Sequence, residues 1–118
     1  MHEMGIAMQL VKIATDAIPK DMDKVQVEKV NLRLGKLSSV VPDSLKFCFE
    51  IITKDTLLSG AKLYIEEIDV TARCNDCNTK WTITGPVFKC EKCKSGNIKI
   101  LSGQELEISS IEIEDNEN

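Results

Sequence analysis

Aromatic residues are scarce in this sequence: one Trp, one Tyr and three Phe make up 4% of the chain. The core must therefore be built mainly from Ile, Val and Leu. Histidine is scarcer still, with one residue at position 2. With a single histidine, no glycine-rich phosphate loop and no nucleophile motif, the chain offers no catalytic constellation, and an enzyme is not expected. No apolar run approaches the roughly 20 residues of a membrane span. Met1-His2-Glu3-Met4 lacks the basic start of a signal peptide. The expectation is a cytoplasmic protein with no membrane partner. Positive charge is not in excess either: 15 Lys and Arg against 19 Asp and Glu leave a net charge of −4, which is unhelpful for binding nucleic acid. At 118 residues, 42% hydrophobic and 29% charged, the chain has the make-up of a soluble globular protein. It can bury one modest core but not two independent ones, so any second module needs a metal or a disulfide to hold it.

What the chain does have is cysteine. Four of the five fall in two pairs, Cys74-Asn75-Asp76-Cys77 and Cys90-Glu91-Lys92-Cys93, with twelve residues between them. In a reducing compartment this spacing points to metal and away from disulfides. A CxxC turn lets two sulfurs reach one ion while neighbouring backbone N–H groups donate to the thiolates. Two such turns supply the tetrahedral sulfur cage that Zn(II) favours. All four positions would be protein sulfur, so the zinc is read as structural. Iron in four thiolates uses the same donors, and spacing does not separate the two. A thioredoxin-type redox site wants one CxxC at a helix start after a strand, which neither pair offers. Between the pairs, Trp81, Ile83, Val87 and Phe88 flank Thr84-Gly85-Pro86 and read as a small hairpin. Gly96 is expected to take a positive φ. Cys48 lies on an apolar stripe and reads as a buried core residue.

Hydrophobic periodicity places a helix over 4–18 (Ile6, Leu10, Ile13, Ala14, Ala17, Ile18), stopped by Pro19. A strand follows from Val25 to Leu34, then a second helix after Pro42-Asp43-Ser44 with Leu45, Cys48, Phe49 and Ile52 on one stripe. A strand from Leu63 to Val70, a short one from Ile98 to Leu101, and a last strand from Leu106 to Ile113 complete the reading. In each long strand the apolar alternation slips once, across Glu28-Lys29, Glu66-Glu67 and Ser109-Ser110. A bulge would produce such a slip. So would strands burying opposite faces at their two ends, with a helix on each face, and three matching slips favour that second arrangement. The last strand lies beyond the cysteines, so the cysteine module is an insertion. The expected fold is α+β: a three-stranded sheet with two helices over 1–71 and 99–118, interrupted by a zinc-ribbon-like domain over 72–98.

His2 has two readings. A lone histidine near a terminus ordinarily does nothing. At position 2, however, the α-amine of Met1, the His2 backbone nitrogen and the His2 imidazole can close fused chelate rings. A Glu3 amide nitrogen or carboxylate is then nearby. Nitrogen-rich square-planar coordination suits Ni(II) and Cu(II). Such an open site can load and unload, which suggests delivery. Met4 and Met8 are read as packing a helix face.

Taken together, these features resemble a known family. Met1-His2-Glu3, the run Leu34-Gly35-Lys36-Leu37-Ser38-Ser39-Val40-Val41-Pro42-Asp43-Ser44-Leu45-Lys46-Phe47-Cys48-Phe49-Glu50, Gly60-Ala61-Lys62-Leu63-Tyr64-Ile65-Glu66 before the paired CxxC motifs, and Gly103-Gln104-Glu105-Leu106-Glu107-Ile108 after them are similar to the HypA/HybF nickel metallochaperones. The similarity covers essentially the whole chain in order. It implies a nickel domain of two helices and three strands interrupted by a zinc domain, with His2 the essential nickel ligand and Glu3 and Met1 beside it. It also implies transfer of Ni(II) to the large subunit of [NiFe] hydrogenase, work with a HypB-type GTPase, and service to urease maturation in some organisms. Some members carry a histidine directly after a CxxC, where Asn78 and Lys94 stand here. A competing reading is a zinc-ribbon module that binds nucleic acid or protein through Arg73, Lys80, Lys89, Lys92, Lys94 and Lys99 with Trp81 and Phe88.

Overall fold

The computed structural model describes residues 3–20 and 25–115. Its elements run α1 (Glu3–Ala17), β1 (Val25–Gly35), α2 (Pro42–Ile52), β2 (Lys62–Ile68), β3 (Val70–Cys74), β4 (Lys80–Ile83), β5 (Ile98–Ser102) and β6 (Leu106–Asp115). Two three-stranded sheets result, one ordered β2-β1-β6 and the other β4-β3-β5. The chain forms two compact units. One contains α1, α2, most of β1 and β2, and β6; the other consists of Leu34–Ser38 and Glu67–Leu106. The α+β class is as expected. The strand read from Leu63 to Val70 is in fact two: β2 ends at Ile68, and Val70 opens β3 in the other sheet.

In the first unit, α1 buries Ala7, Leu10 and Ala14, a stripe at helical spacing. Its small alanines allow close approach to α2. Ile13 is exposed, as are Met4 and Met8 at 40% and 60%, so neither methionine packs a buried face. The helix α2 starts with Pro42 at its first turn and buries Leu45 and Phe49. Cys48 is half-buried and not part of the sealed core. At its end, buried Thr53 donates both its N–H (3.1 Å) and its hydroxyl (2.8 Å) to the Phe49 carbonyl. The two helices pack directly on each other. Helices on opposite faces of one sheet would be about 20 Å apart, twice the layer spacing. A helix on each face is therefore incorrect, and both lie on one side.

The slips in β1 and β6 are bulges, whereas the one at Glu66-Glu67 falls just before the chain passes from β2 to β3 of the other sheet. On β1, the side chains of Lys29, Asn31 and Arg33 share one face. Arg33 Nη1 meets Glu107 Oε1 at 2.7 Å, Asn31 Nδ2 donates to Ser110 Oγ and Glu112 Oε2, and Lys29 pairs with Glu112 at 3.6 Å. Glu107 and Glu112 are five residues apart, so an unbroken β6 would point them to opposite faces. One extra residue at Ser109-Ser110 restores the facing, and both hydroxyls reach Asn31. In β1 the same thing happens at Glu28-Lys29. The Glu28 carboxyl is pushed up by hydrogen bonding to Glu114, while the next residue pairs with Glu112. Val27 and Val30 therefore share the buried face. The sheet has one helix-covered face and one solvated polar face. Along β1 and β2 the partners rise together, Lys29 with Tyr64 and Arg33 with Glu66, so these strands run parallel. The connection through α2 is the crossover that parallel pairing requires.

In the second unit, β3 is central and antiparallel to both neighbours. Val70, Ala72 and Ile83 form its core, with Trp81, Ile98 and Ile100 packed against them. The strand β4 returns onto β3 across the first CxxC turn. The hairpin expected around Thr84-Gly85-Pro86 does not form: Val87 and Phe88 lie in irregular backbone and are 58% and 45% exposed.

Candidate metal centres

The two CxxC turns are near copies of one another, sixteen residues apart. In the first, Cys74 N–H donates to Thr79 O (2.9 Å) and Asn78 N–H to Cys74 O (2.9 Å). In the second, Cys90 N–H donates to Ser95 O (2.8 Å) and Lys94 N–H to Cys90 O (3.0 Å). The residue after each CxxC turns the chain: Asn78 and Lys94 have φ of 63° and 66°. The left-handed step therefore falls there and not at Gly96, which has no positive φ. Asn tolerates this region; Lys does so at a cost.

This geometry brings Cys74, Cys77, Cys90 and Cys93 together, with all four sulfurs within 4.8 Å of one another. Cys74 and Cys93 are 3.6 Å apart, as are Cys77 and Cys90. A tetrahedron with metal–sulfur bonds of about 2.3 Å has edges of about 3.8 Å, so the thiols fit a single tetrahedral ion. The N–H groups of Asp76, Lys92 and Cys93 lie 3.4 Å from Cys74 or Cys90 sulfur, ready to share thiolate charge. Cys74 and Cys90 are fully buried. The Thr79 hydroxyl and N–H hold the Cys77 thiol down to about 6. At Cys93 the Ser95 N–H acts in the same direction. Sharing with Cys74, burial and the other sulfurs outweigh it and push that thiol up to about 12. Four sulfurs this close cannot all carry full charge without a cation between them.

A brace that spacing did not reveal joins the two turns. The Asp76 carboxylate accepts from the Ser95 hydroxyl and, at 3.3 Å, from Asn97 Nδ2. Asn75 adds an N–H to Asn97 O (2.9 Å) and a side-chain bond to Asn97 Oδ1 (3.1 Å). Asp76→Ala should weaken metal binding by about 10–100-fold, the usual cost of losing an outer partner. A chelator competition measures this. Unchanged affinity would make the brace irrelevant to the metal.

Of the proposed N-terminal ligands, Met1 and His2 lie outside the described residues. Glu3 opens α1, and its Oε2 accepts the Val41 N–H at 3.1 Å. Val41 is the N-cap of α2 and has no side-chain cap. In a capping box a glutamate within the same helix makes this bond; here it comes from another helix and ties the first turn of α1 to the start of α2.

The fold and cage define a two-unit α+β metalloprotein whose second unit is organised by four cysteines. The family whose model matches residues 1–113 is described as "Hydrogenase/urease nickel incorporation, metallochaperone, hypA". Among similar proteins are the hydrogenase maturation factors HypA of Desulfosudis oleivorans, 58% identical over 98% of this chain and 100% of that protein, and of Desulfatibacillum aliphaticivorans, 57% identical over 99% and 90%. The solution structure of the Ni metallochaperone HypA from Helicobacter pylori is 26% identical, with a TM-score of 0.67 over 96% of this chain and 97% of that one. A second HypA solution structure is 25% identical, with a TM-score of 0.71 over 98% of each chain. The chain belongs to the HypA family. Among the described residues no helix is long and apolar enough to cross a membrane.

Proposed function

We propose that this protein is a nickel metallochaperone that delivers Ni(II) for the maturation of [NiFe] hydrogenase and carries a structural Zn(II) in the Cys74–Cys77–Cys90–Cys93 cage. The observation that carries this reading is a closed sulfur cage in a chain that matches a nickel-incorporation family from residue 1. Four protein sulfurs leave no position for exchange, so the cargo needs another site. His2, with the Met1 amine and backbone nitrogens, has the donor chemistry for square-planar Ni(II). The Glu3 carboxylate is committed to Val41, so Glu3 is proposed to serve nickel through its amide nitrogen. The segment 72–98, which lies within the Glu67–Leu106 unit, is proposed as the part that zinc holds together, as an insertion in the nickel domain. The partners proposed are a HypB-type GTPase and the hydrogenase large subunit, with urease maturation proteins as further clients, all in the cytoplasm.

Nickel titration of zinc-loaded protein tests the proposal. Losing an outer partner of a metal ligand costs up to about 100-fold in affinity, so His2→Ala, which removes a ligand outright, should cost at least that. Residues added before Met1 should also weaken binding, while zinc stays at one per chain by elemental analysis. Native-like nickel affinity in His2→Ala would put the site elsewhere.

A further inference from the structure

The outer face of the β4-β3-β5 sheet carries a row of like charges. Arg73 on β3 stands directly opposite Lys80 on β4 and Lys99 on β5. Directly opposite residues in antiparallel strands point to the same face. With strands about 4.8 Å apart, three cations are lined up across roughly 10 Å. Cross-strand like charges destabilise a sheet. Among the described residues no ion pair reaches any of the three. Two acids that flank β3 in the chain are engaged elsewhere: Asp69 with Lys36 at 2.6 Å, and Asp76 with Ser95 and Asn97. Arg73 Nε is buried without a hydrogen-bond partner. Below the row the same face presents hydroxyls, Thr71 opposite Thr82 and Ser102. The other face is the apolar core.

We infer that this face is a docking surface for an acidic segment of a partner protein, with Arg73 as the central anchor. An arginine fork binds a carboxylate through two parallel hydrogen bonds. Successive same-side residues of an extended chain are about 6.7 Å apart, so two carboxylates spread across the row can be shared by three cations. Single-stranded nucleic acid is the poorer fit. Such binders stack bases on aromatic rings, and Trp81, the aromatic within these three strands, is paired with Ala72 and packed into the opposite face. The net charge of −4 also disfavours a long polyanion more than a short acidic stretch.

Titrating a hexaglutamate peptide into the zinc-loaded full chain at low salt tests this inference, with backbone amide shifts as the readout. Shifts are expected at 71–73, 80–82 and 99–102, and should be absent from α1 and α2. They should fade as salt rises. The double variant Lys80→Gln, Lys99→Gln should bind at least tenfold more weakly with zinc content unchanged. Lys99→Glu should abolish binding yet raise the melting temperature, because it relieves the row. The inference is overturned by an absence of shifts, by equal binding to the double variant, or by a lower melting temperature in Lys99→Glu. Tighter binding of oligothymidylate of equal charge at the same residues would also overturn it, in favour of nucleic acid.

Discussion

Cys90→Ser is expected to strip the metal from the cage and melt the β4-β3-β5 unit, and to weaken the α/β unit as a second consequence. Cys90 is fully buried, and the apolar core of its unit is small: Val70, Ala72 and Ile83, with three half-buried neighbours. So few apolar residues cannot offset the entropy of ordering about forty residues. A metal in the cage would supply the difference, since apparent binding energies of structural zinc are about 10–16 kcal/mol in isolated finger peptides. The second effect follows from connectivity. When Glu67–Leu106 loses its order, it becomes a loop of about forty residues between β2 and β6, which sit in one sheet. Closing such a loop costs about 3 kcal/mol beyond a constant. An appendage at the chain end would impose no such cost. In an amide correlation spectrum, resonances from 70–102 should collapse while those of α1 and α2 persist with a lower melting temperature. A spectrum that keeps its dispersion throughout the cysteine unit would refute the metal's structural role. Acid should do the same reversibly, because protons compete with metal for the four sulfurs.

The cysteine cage was legible because its chemistry is local: two sulfurs at i and i+3 need only one turn to meet a metal. The helices were legible for a similar reason, since Leu10 with Ala14 and Leu45 with Phe49 mark faces within a single element. What escaped was decided between elements. The slips at Glu28-Lys29 and Ser109-Ser110 fit either bulges or a two-faced sheet. Only the partners across the strands, Glu114 and Glu112 for one and Asn31 for the other, distinguish them. Val87 and Phe88 have the composition of a strand, but Trp81–Ile83 pair with Val70–Ala72 of β3 instead, a partner far outside the local pattern. The brace at Asp76 depends on Ser95 and Asn97, about twenty residues away. Likewise, the Glu3 bond to Val41 crosses 38 residues, and no local pattern encodes it.

Gly35→Ala should be among the most damaging single changes outside the cage. At the end of β1, Gly35 N–H donates to Glu105 O at 2.7 Å and Leu37 N–H to Gly103 O at 2.8 Å. The backbones approach so closely that a Cβ on Gly35 would fall on the Gly103 carbonyl and lie 2.5 Å from Gln104 N. Main-chain atoms cannot rotate away as the tip of a side chain would. Gly103 is pinned in turn: its φ is +114°, and a Cβ there would sit 2.8 Å from Val70 Cγ2 and 2.9 Å from Val70 Cα. Relieving the clash must separate β1 from the 103–105 segment or push Gly103 into β3. A forced backbone shift of this kind costs about 3–5 kcal/mol, which lowers the melting temperature of a domain this size by roughly 10–20 °C. Gly5→Ala is the matched control. A Cβ there meets nothing within 4 Å, and replacing a helical glycine by alanine adds up to about 1 kcal/mol. Its melting temperature should rise slightly. If Gly35→Ala melts within two or three degrees of the unaltered protein by calorimetry, the close crossing of β1 with the 103–105 segment is not a fixed feature of the fold.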